Sequence, residues 1–359
     1  MANLHALSQA LDALPCLFEG NRLNLLFLDN INIVYDGDAY LRALAAPGLL
    51  AERRDVLLSA RPQQRVHSFR CPTRPDPEAV SALLFEHFHA VPRLVLPQEE
   101  LAAYVAREAQ RHQPDVVLFV VADGLSYYDL PDSDDLQPCF VTGPTITPHG
   151  YQASIGRPPL ARYLFGLDYH HQAAFTYFDI ESNALAQKLH SAFSPSQVHR
   201  IRAFHDIAQH AFVRNLRPGS YIQVTTTALD GLCHNHRDLP PIEAYKQKLL
   251  ANFEALVDVC SQNNRRVLAC LTADHGILWR DVLSGFITID APTAAHTSHA
   301  RYLQGGLLRD YAVSVKTQAG TFSLLKSPYV SRALRSNEWG VHGGVSAWES
   351  LVPLKIIKT

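Results

Sequence analysis

Asp274-His275 closes the apolar run Val267-Leu-Ala-Cys-Leu-Thr-Ala273, and Gly276 follows at once. A carboxylate and an imidazole thereby stand side by side where a buried β-strand should end. Two other apolar runs finish the same way. Residues 116–122 lead into Asp123-Gly124, and residues 221–227 lead, through Ala228-Leu229, into Asp230-Gly231 with His234 four residues on. Near the C-terminus Val341-His342-Gly343-Gly344 adds an imidazole in a bend that glycine permits. In an open α/β sheet, ligands collect just beyond the carboxyl ends of the strands. Asp123, Asp230, His234, Asp274, His275 and His342 are therefore candidate metal ligands.

Six ligands divided between two ions give three each and leave positions open, which a catalytic site requires. Mixed Asp/His ligation suits Zn²⁺, with Mn²⁺ next, and disfavours Ca²⁺ or a Mg²⁺-only site. Two ions about 4 Å apart can clamp the attacking and leaving oxygens of a phosphoryl group in line. A nucleophile is offered by Pro144-Thr145-Ile146-Thr147-Pro148-His149. A threonine hydroxyl coordinated to Zn²⁺ can ionise without a separate base, so Thr147 and Thr145 are both candidates. The bland alternative is a turn whose hydroxyls bond the backbone. Spacing by itself is weak evidence, because Asp206 and His210 repeat the interval of Asp230 and His234. That second pair sits in residues 203–213, which read as an amphipathic helix with its polar residues outward.

In order, the chain carries Asp123-Gly, Pro-Thr-Ile-Thr147, Asp230-x-x-x-His234, Thr-Ala-Asp274-His275-Gly and His342-Gly-Gly. This series resembles the alkaline phosphatase superfamily. The Asp-His-Gly box and the C-terminal His-Gly-Gly, shortly followed by Val-Pro-Leu, are similar to its PglZ branch. The resemblance covers about residues 115–359 and leaves the first 110 unmatched. It implies one metal held by Asp123, Asp274, His275 and the nucleophile, and a second held by Asp230, His234 and His342. Thr147 best matches the family nucleophile, although Pro148 directly after it departs from the pattern and keeps Thr145 in play. Members of the superfamily hydrolyse phosphomonoesters, phosphodiesters or sulfate esters, and some move phosphate within a sugar. PglZ domains occur in phage-defence systems and signalling proteins. The resemblance therefore implies a two-zinc phosphodiesterase acting on nucleotides or oligonucleotides. Its alternative is a non-enzymatic structural partner in a multi-protein defence complex.

The elements that must position these residues alternate. A helix from Glu99 to about Gln113 feeds a strand at 115–122, and a strand at 173–179 precedes a helix from Ser182 to Phe193. A strand at 220–227 precedes a helix from Ile242 to Gln262, opened by Pro240-Pro241, and strands follow at 267–273 and 351–357. Alternation of this kind predicts a mainly parallel sheet flanked by helices on both faces. Hairpin-like strands are expected near Tyr311–Lys316 and Thr321–Leu325. The expected division is an N-terminal α/β extension over residues 1–110 and an alkaline phosphatase-like domain over 111–359. The extension carries a strand at Leu25–Leu28, proline-broken connectors and a helix at Glu78–His89, and reads as a packing or protein-partner surface.

Other residues have second uses. His149 and Arg157 follow the threonine turn and offer either a contact to a phosphate oxygen or turn and helix-cap roles. His296, His299 and Arg301 form a small cationic cluster that reads as a solvated loop or as a substrate clamp. Tyr127 and Tyr128 offer stacking faces or core packing, and Asp132-Ser-Asp-Asp135 reads as a solvated turn.

A formal charge of −2 on 359 residues carries no electrostatic footprint for duplex DNA. The six cysteines, Cys16, Cys71, Cys139, Cys233, Cys260 and Cys270, show no CxxC spacing, and several lie in apolar runs, as buried thiols in a reducing compartment do. Residues 1–20 lack the pattern of a signal peptide, and no apolar run approaches the roughly 18 residues that span a bilayer. The expectation is a soluble cytoplasmic protein.

Overall fold

The computed structural model describes residues 33–35 and 65–67 and, from 76 to 359, all but 90, 94, 134, 171, 177–197, 202–207, 209–210, 227, 235, 283–284, 291–296 and 307–309. The expected strand at 25–28, the helix at 182–193, the pair Asp206/His210, His296, Cys16 and Cys71 lie outside the described residues. Within the first 75 residues, Ile33–Tyr35 pairs antiparallel with Arg65–His67.

Eight strands form the central sheet: β1 (Leu96–Pro97), β2 (Val116–Ala122), β3 (Leu136–Phe140), β4 (Gln172–Thr176), β5 (Val198–Ile201), β6 (Ser220–Thr226), β7 (Val267–Thr272) and β8 (Leu351–Lys358). Their spatial order is β1-β3-β8-β7-β2-β6-β4-β5. β8 runs antiparallel to both of its neighbours. The other pairings are parallel. The sheet is thus mainly parallel, as the alternating pattern predicts. β2 explains why. Its residues Val116 to Ala122 are at most 1% exposed, and an unbroken apolar strand of this kind needs cover on both faces.

Among the described residues the α-helices are α1 (Pro77–Glu86), α2 (Leu101–His112), α3 (Thr147–Ile155), α4 (Leu160–Phe165), α5 (Ala228–His234), α6 (Ile242–Ser261) and α7 (Ala347–Ser350), and a further short one covers Ala211–Arg214. α1 starts where Asp76 accepts a hydrogen bond from the Ala79 amide, with Pro77 in the first turn. Val80 and Leu84 of α1 and Leu101 and Val105 of α2 join the same core as β2. Residues 77–112 therefore pack with the sheet, and the division expected at residue 110 falls inside α2. Proline-rich composition before Pro77 suggests a break, but burial of one face of α1 and α2 decides the packing.

The reversed direction of β8 matters for the site. A strand running against β7 begins at the edge where β7 ends, so the segment before it crosses that edge. The Gly276 amide donates to the Glu349 carbonyl at 3.0 Å, which ties the two segments together there. Ala312–Thr317 and Gly320–Leu325 form the expected hairpin, and the second of these also pairs with Tyr302–Gln304. Among the described residues no helix is long and apolar enough to cross a membrane.

Candidate metal centre

Three parallel strands deliver acids to one edge. Asp123 follows β2 and donates its amide to the Thr226 carbonyl at the end of β6. Asp230 lies in the first turn of α5, and His234, four residues on, lies on the same helical face. Asp274 and His275 follow β7, and His342 arrives from the segment ahead of β8. All six expected ligands meet at the carboxyl edge.

Donor atoms of five of them form two overlapping groups, Asp123/Asp274/His275 and Asp230/His275/His342, each with its atoms within 4.8 Å of one another, and His234 stands beside the second group, where His275 takes the place expected for it. A tetrahedral ion with bonds of about 2.0–2.1 Å holds its ligand atoms about 3.3–3.4 Å apart. The site shows that spacing. Asp230 Oδ1 is 3.3 Å from both His234 Nε2 and His342 Nε2. Asp123 Oδ1 is 3.4 Å from His275 Nε2, and Thr147 Oγ1 is 3.3 Å from the same nitrogen. Asp274 Oδ2 stands a little farther off, 3.9 Å from His275 Nε2. His234 and His342 approach more closely, Nε2 to Nε2 at 2.8 Å.

The electrostatics call for a cation. Asp123 Oδ1 and Asp230 Oδ1 are buried with no hydrogen-bond partner, an arrangement that costs free energy unless a charge offsets it. Burial, with Asp274 and Asp230 close by, pushes the Asp123 carboxyl well above its ordinary range. Burial likewise lifts Asp274 to about 6. Burial also raises Asp230, but the His234 and His342 imidazoles set against it outweigh burial and hold this carboxyl low. His275 is driven well below its usual value by burial and by His342, so it is neutral, the form that ligates metal. The two central rings are also oriented for it. His275 Nδ1 lies 3.2 Å from the Gly276 carbonyl and His342 Nδ1 lies 2.8 Å from the Thr145 carbonyl. A carbonyl only accepts, so each Nδ1 carries the proton and each Nε2 turns its lone pair to the cluster.

The two threonines part company. Thr147 opens α3 with its hydroxyl beside His275. Thr145 is fully buried. Its hydroxyl accepts from the Gly343 amide at 2.7 Å and donates to the Gly344 carbonyl at 3.2 Å. Gly343 has φ +115°, a conformation few side chains tolerate, so this bend depends on glycine and on Thr145 together. α3 presses on β7 through Gly150, where a Cβ would lie 1.9 Å from the Asp274 carbonyl oxygen.

Several supporting residues are invisible to motif reading. Gln98 is fully buried and donates its Nε2 to the carbonyls of Ala273 and Asp274 at 2.8 and 2.9 Å and to Ser154 Oγ at 2.8 Å. Arg301, expected in a cationic cluster, is instead buried in an ion pair with Glu349. Nε donates to Oε1 at 3.1 Å and Nη2 to Oε2 at 2.8 Å. Glu349 also accepts from the Gly344 amide, so the pair clamps the bend that carries His342. His299 does stay near the site, its ring centroid 4.9 Å from that of His342.

The remaining candidates sit apart. Tyr127 is buried in the core. Asp135 is paired with Lys355 at 2.6 Å. Pro148, His149 and Gln152, on the face of α3 away from Gly150, line a cavity of about 720 Å³ together with Arg157 and Phe322. Arg157 is engaged there by Gln152 and Gln318.

No protein-family model matches the chain, and no curated protein matches its sequence. Among solved structures, similarity extends to murine ectonucleotide pyrophosphatase/phosphodiesterase 5, at 13% identity over 67% of this chain and 87% of that one, with a TM-score of 0.44. Phosphonoacetate hydrolase from Sinorhizobium meliloti 1021, in complex with phosphonoformate, is 11% identical over 68% of this chain and 89% of its own, with a TM-score of 0.41. The C-terminal periplasmic domain of a phosphoethanolamine transferase from Campylobacter jejuni is 9% identical over 68% and 80%, with a TM-score of 0.36. All three likenesses are remote, and the chemistry of the site stands on its own geometry.

Proposed function

We propose that this protein is a metal-dependent phosphoesterase of the alkaline phosphatase type, a two-zinc phosphodiesterase acting on nucleotides or small oligonucleotides through Thr147. The observation that carries the proposal is the pair of merged Asp/His groups, with tetrahedral spacing between donor atoms and two carboxylate oxygens left without partners. Asp123, Asp274, His275 and Thr147 would hold one ion, and Asp230, His234 and His342 the other. Zn²⁺ fits the mixed nitrogen and oxygen donors, with Mn²⁺ next. Bound there, such ions lower the pKa of a hydroxyl set against them and offset charge gathering on phosphoryl oxygens.

The residues divide the work. Thr147 gives up its hydroxyl proton to solvent, and Oγ1 forms a bond to phosphorus. The bond from phosphorus to the leaving oxygen breaks with its electron pair on that oxygen, which takes a proton from water. A water molecule then attacks the phosphothreonine, the phosphorus–Oγ1 bond breaks, and Thr147 regains a proton. Thr145 does not react. It fixes the bend at Gly343 and turns the His342 ring through its carbonyl.

Preference for diesters rests on the likeness of the Asp274-His275-Gly276 and His342-Gly343-Gly344 boxes to the PglZ branch. The same likeness supports a role in phage defence or signalling; cysteines without CxxC spacing support a cytoplasmic location, and the part of residues 1–110 outside α1 and α2 would serve protein partners. The formal charge of −2 favours small or single-stranded substrates over captured duplexes. The deciding experiment counts metal in purified protein and compares bis-p-nitrophenyl phosphate with p-nitrophenyl phosphate, with and without chelator. Metal-dependent cleavage favouring the diester is expected. Failure to bind Zn²⁺ or Mn²⁺ overturns the site, dominant monoesterase turnover overturns the substrate class, and full metal without turnover favours a non-enzymatic partner.

A further inference from the structure

Next to the second ligand group lies a cavity of about 210 Å³, with His234 and His342 in its wall together with His299, Arg332, Arg335 and Glu338. Its volume is below the roughly 300 Å³ at which sites for drug-sized ligands begin, so it suits a phosphate-sized group. Arg332 is spoken for. Its Nη1 and Nη2 donate to the two Glu338 oxygens at 2.8 and 2.7 Å, and Nη2 also reaches the Ser298 carbonyl at 3.0 Å. Arg335 is different. Its amide donates to Glu338 and its carbonyl accepts from Arg280, yet among the described residues its exposed guanidinium makes no hydrogen bond or close ion pair and acts on Glu338 only through space. Two guanidiniums thus share one carboxylate, and the wall keeps an unbalanced positive charge. His299 adds a half-buried imidazole stacked on Tyr302, at 5.5 Å and 26°, whose ring nitrogens have no hydrogen-bond partner among the described residues.

Direction follows from the order of the residues across the site. Thr147 contacts His275, His275 belongs to both ligand groups and stacks on His342, and His342 borders the cavity. In an in-line displacement the leaving oxygen departs opposite the attacking one. With Thr147 attacking, departure is toward this cavity. We infer that Arg335, assisted by His299, recognises a leaving group that carries its own negative charge. The favoured substrates are then phosphodiesters or phosphoanhydrides whose departing portion bears a phosphate. The inference rests on the phosphoesterase reading above and deepens it. As the phosphorus–oxygen bond breaks, the electron pair stays on the leaving oxygen, a proton comes from water, and Arg335 keeps its own protons throughout.

Two substrates that transfer the same thymidylyl group isolate the leaving portion: thymidine 5′-triphosphate, which releases pyrophosphate, and the p-nitrophenyl ester of thymidine 5′-monophosphate, whose leaving portion is uncharged until it departs. Arg335→Gln should lower kcat/KM on the triphosphate by about tenfold and leave the nitrophenyl ester within about twofold, with Arg335→Lys recovering part of the loss. Calorimetric binding of pyrophosphate to the metal-loaded full chain should weaken by a similar factor. Equal loss on both substrates, or no change in either substrate or in pyrophosphate binding, overturns the role of Arg335. If the wild-type chain turns over neither substrate, the phosphoesterase reading has failed, and pyrophosphate binding by wild type against Arg335→Gln still judges the cavity.

Discussion

His275 and His342 lie face to face, their ring centroids 4.3 Å apart and their planes 9° from parallel. One ring follows β7, and the other comes from the bend that precedes the antiparallel β8. Each anchors Nδ1 on a backbone carbonyl, so the stack is fixed from both sides. It also sets a physical link between the two ligand groups, since moving either ring displaces donors on both sides. His275 has the larger share, being common to both groups.

Metal stoichiometry should report that link. Elemental analysis of the purified chain should give close to two divalent transition-metal ions. Asp274→Ala should remove one, because it touches a single group, and His234→Ala should remove the other. His275→Ala should lose both. Retention of one full equivalent in His275→Ala would show that the two groups bind independently.

The two threonines should separate by readout. Thr147→Ala is expected to keep the fold and the metal yet lose on the order of 10³-fold or more in kcat, as removal of a nucleophile does. Thr145→Val should act on stability instead. It strands the Gly343 amide in a buried place, at a cost of about 1–3 kcal/mol, and frees His342 to turn. Thermal melts and metal titrations on both variants tell these effects apart. Thr145→Val abolishing turnover with an unchanged melt and unchanged metal would transfer the nucleophile to Thr145.

Sequence carries some of these relationships and hides others. Asp123, Asp230 and Asp274 are legible because each ends an apolar run, and the strand period and the sheet edge are local properties of the chain. His342 is legible through the glycines after it. The choice between Thr147 and Thr145 is not, because it turns on hydrogen bonds to Gly343 and Gly344, at separations of 198 and 199 residues. Gln98 and the Asp274 carbonyl it holds are likewise 176 residues apart. Arg301 reads as a loop cation until Glu349 is placed against it. The helix α2 is legible as a helix, but its membership in the core is not, since which face is covered depends on β7 and its neighbours.

The buried pair Arg301–Glu349 should matter more for stability than any surface ion pair, since both side chains are fully buried. Glu349→Gln leaves Arg301 without its counter-charge and is expected to cost about 3–5 kcal/mol. The double variant Arg301→Met, Glu349→Leu should recover part of this, because no uncompensated charge remains, although the Gly344 amide loses its acceptor. Urea denaturation of the three proteins checks it. A double variant no better than Glu349→Gln would mean that the hydrogen bonds to the bend, rather than the buried charge, dominate.

Acid should weaken the fold partly through Glu338. Hydrogen bonds from Arg332 hold its carboxyl down to about 2 against the pull of burial, with the Arg335 amide helping. The ordinary value is 4.5, so between the two the unfolded chain binds more protons than the folded one at this position. The contribution of Glu338 is therefore complete above pH 4.5 and falls away as pH drops toward 2. Other acids are also held low, Glu108 and Asp135 among them, so the wild-type curve alone does not isolate this carboxyl. The difference between wild type and Glu338→Gln does. Urea midpoints measured from pH 7 to pH 2.5 should show the variant weaker at neutral pH and the gap closing below pH 4.5. A gap that stays constant down to pH 2.5 would mean that Glu338 acts by shape and hydrogen bonding alone, with no part for its charge.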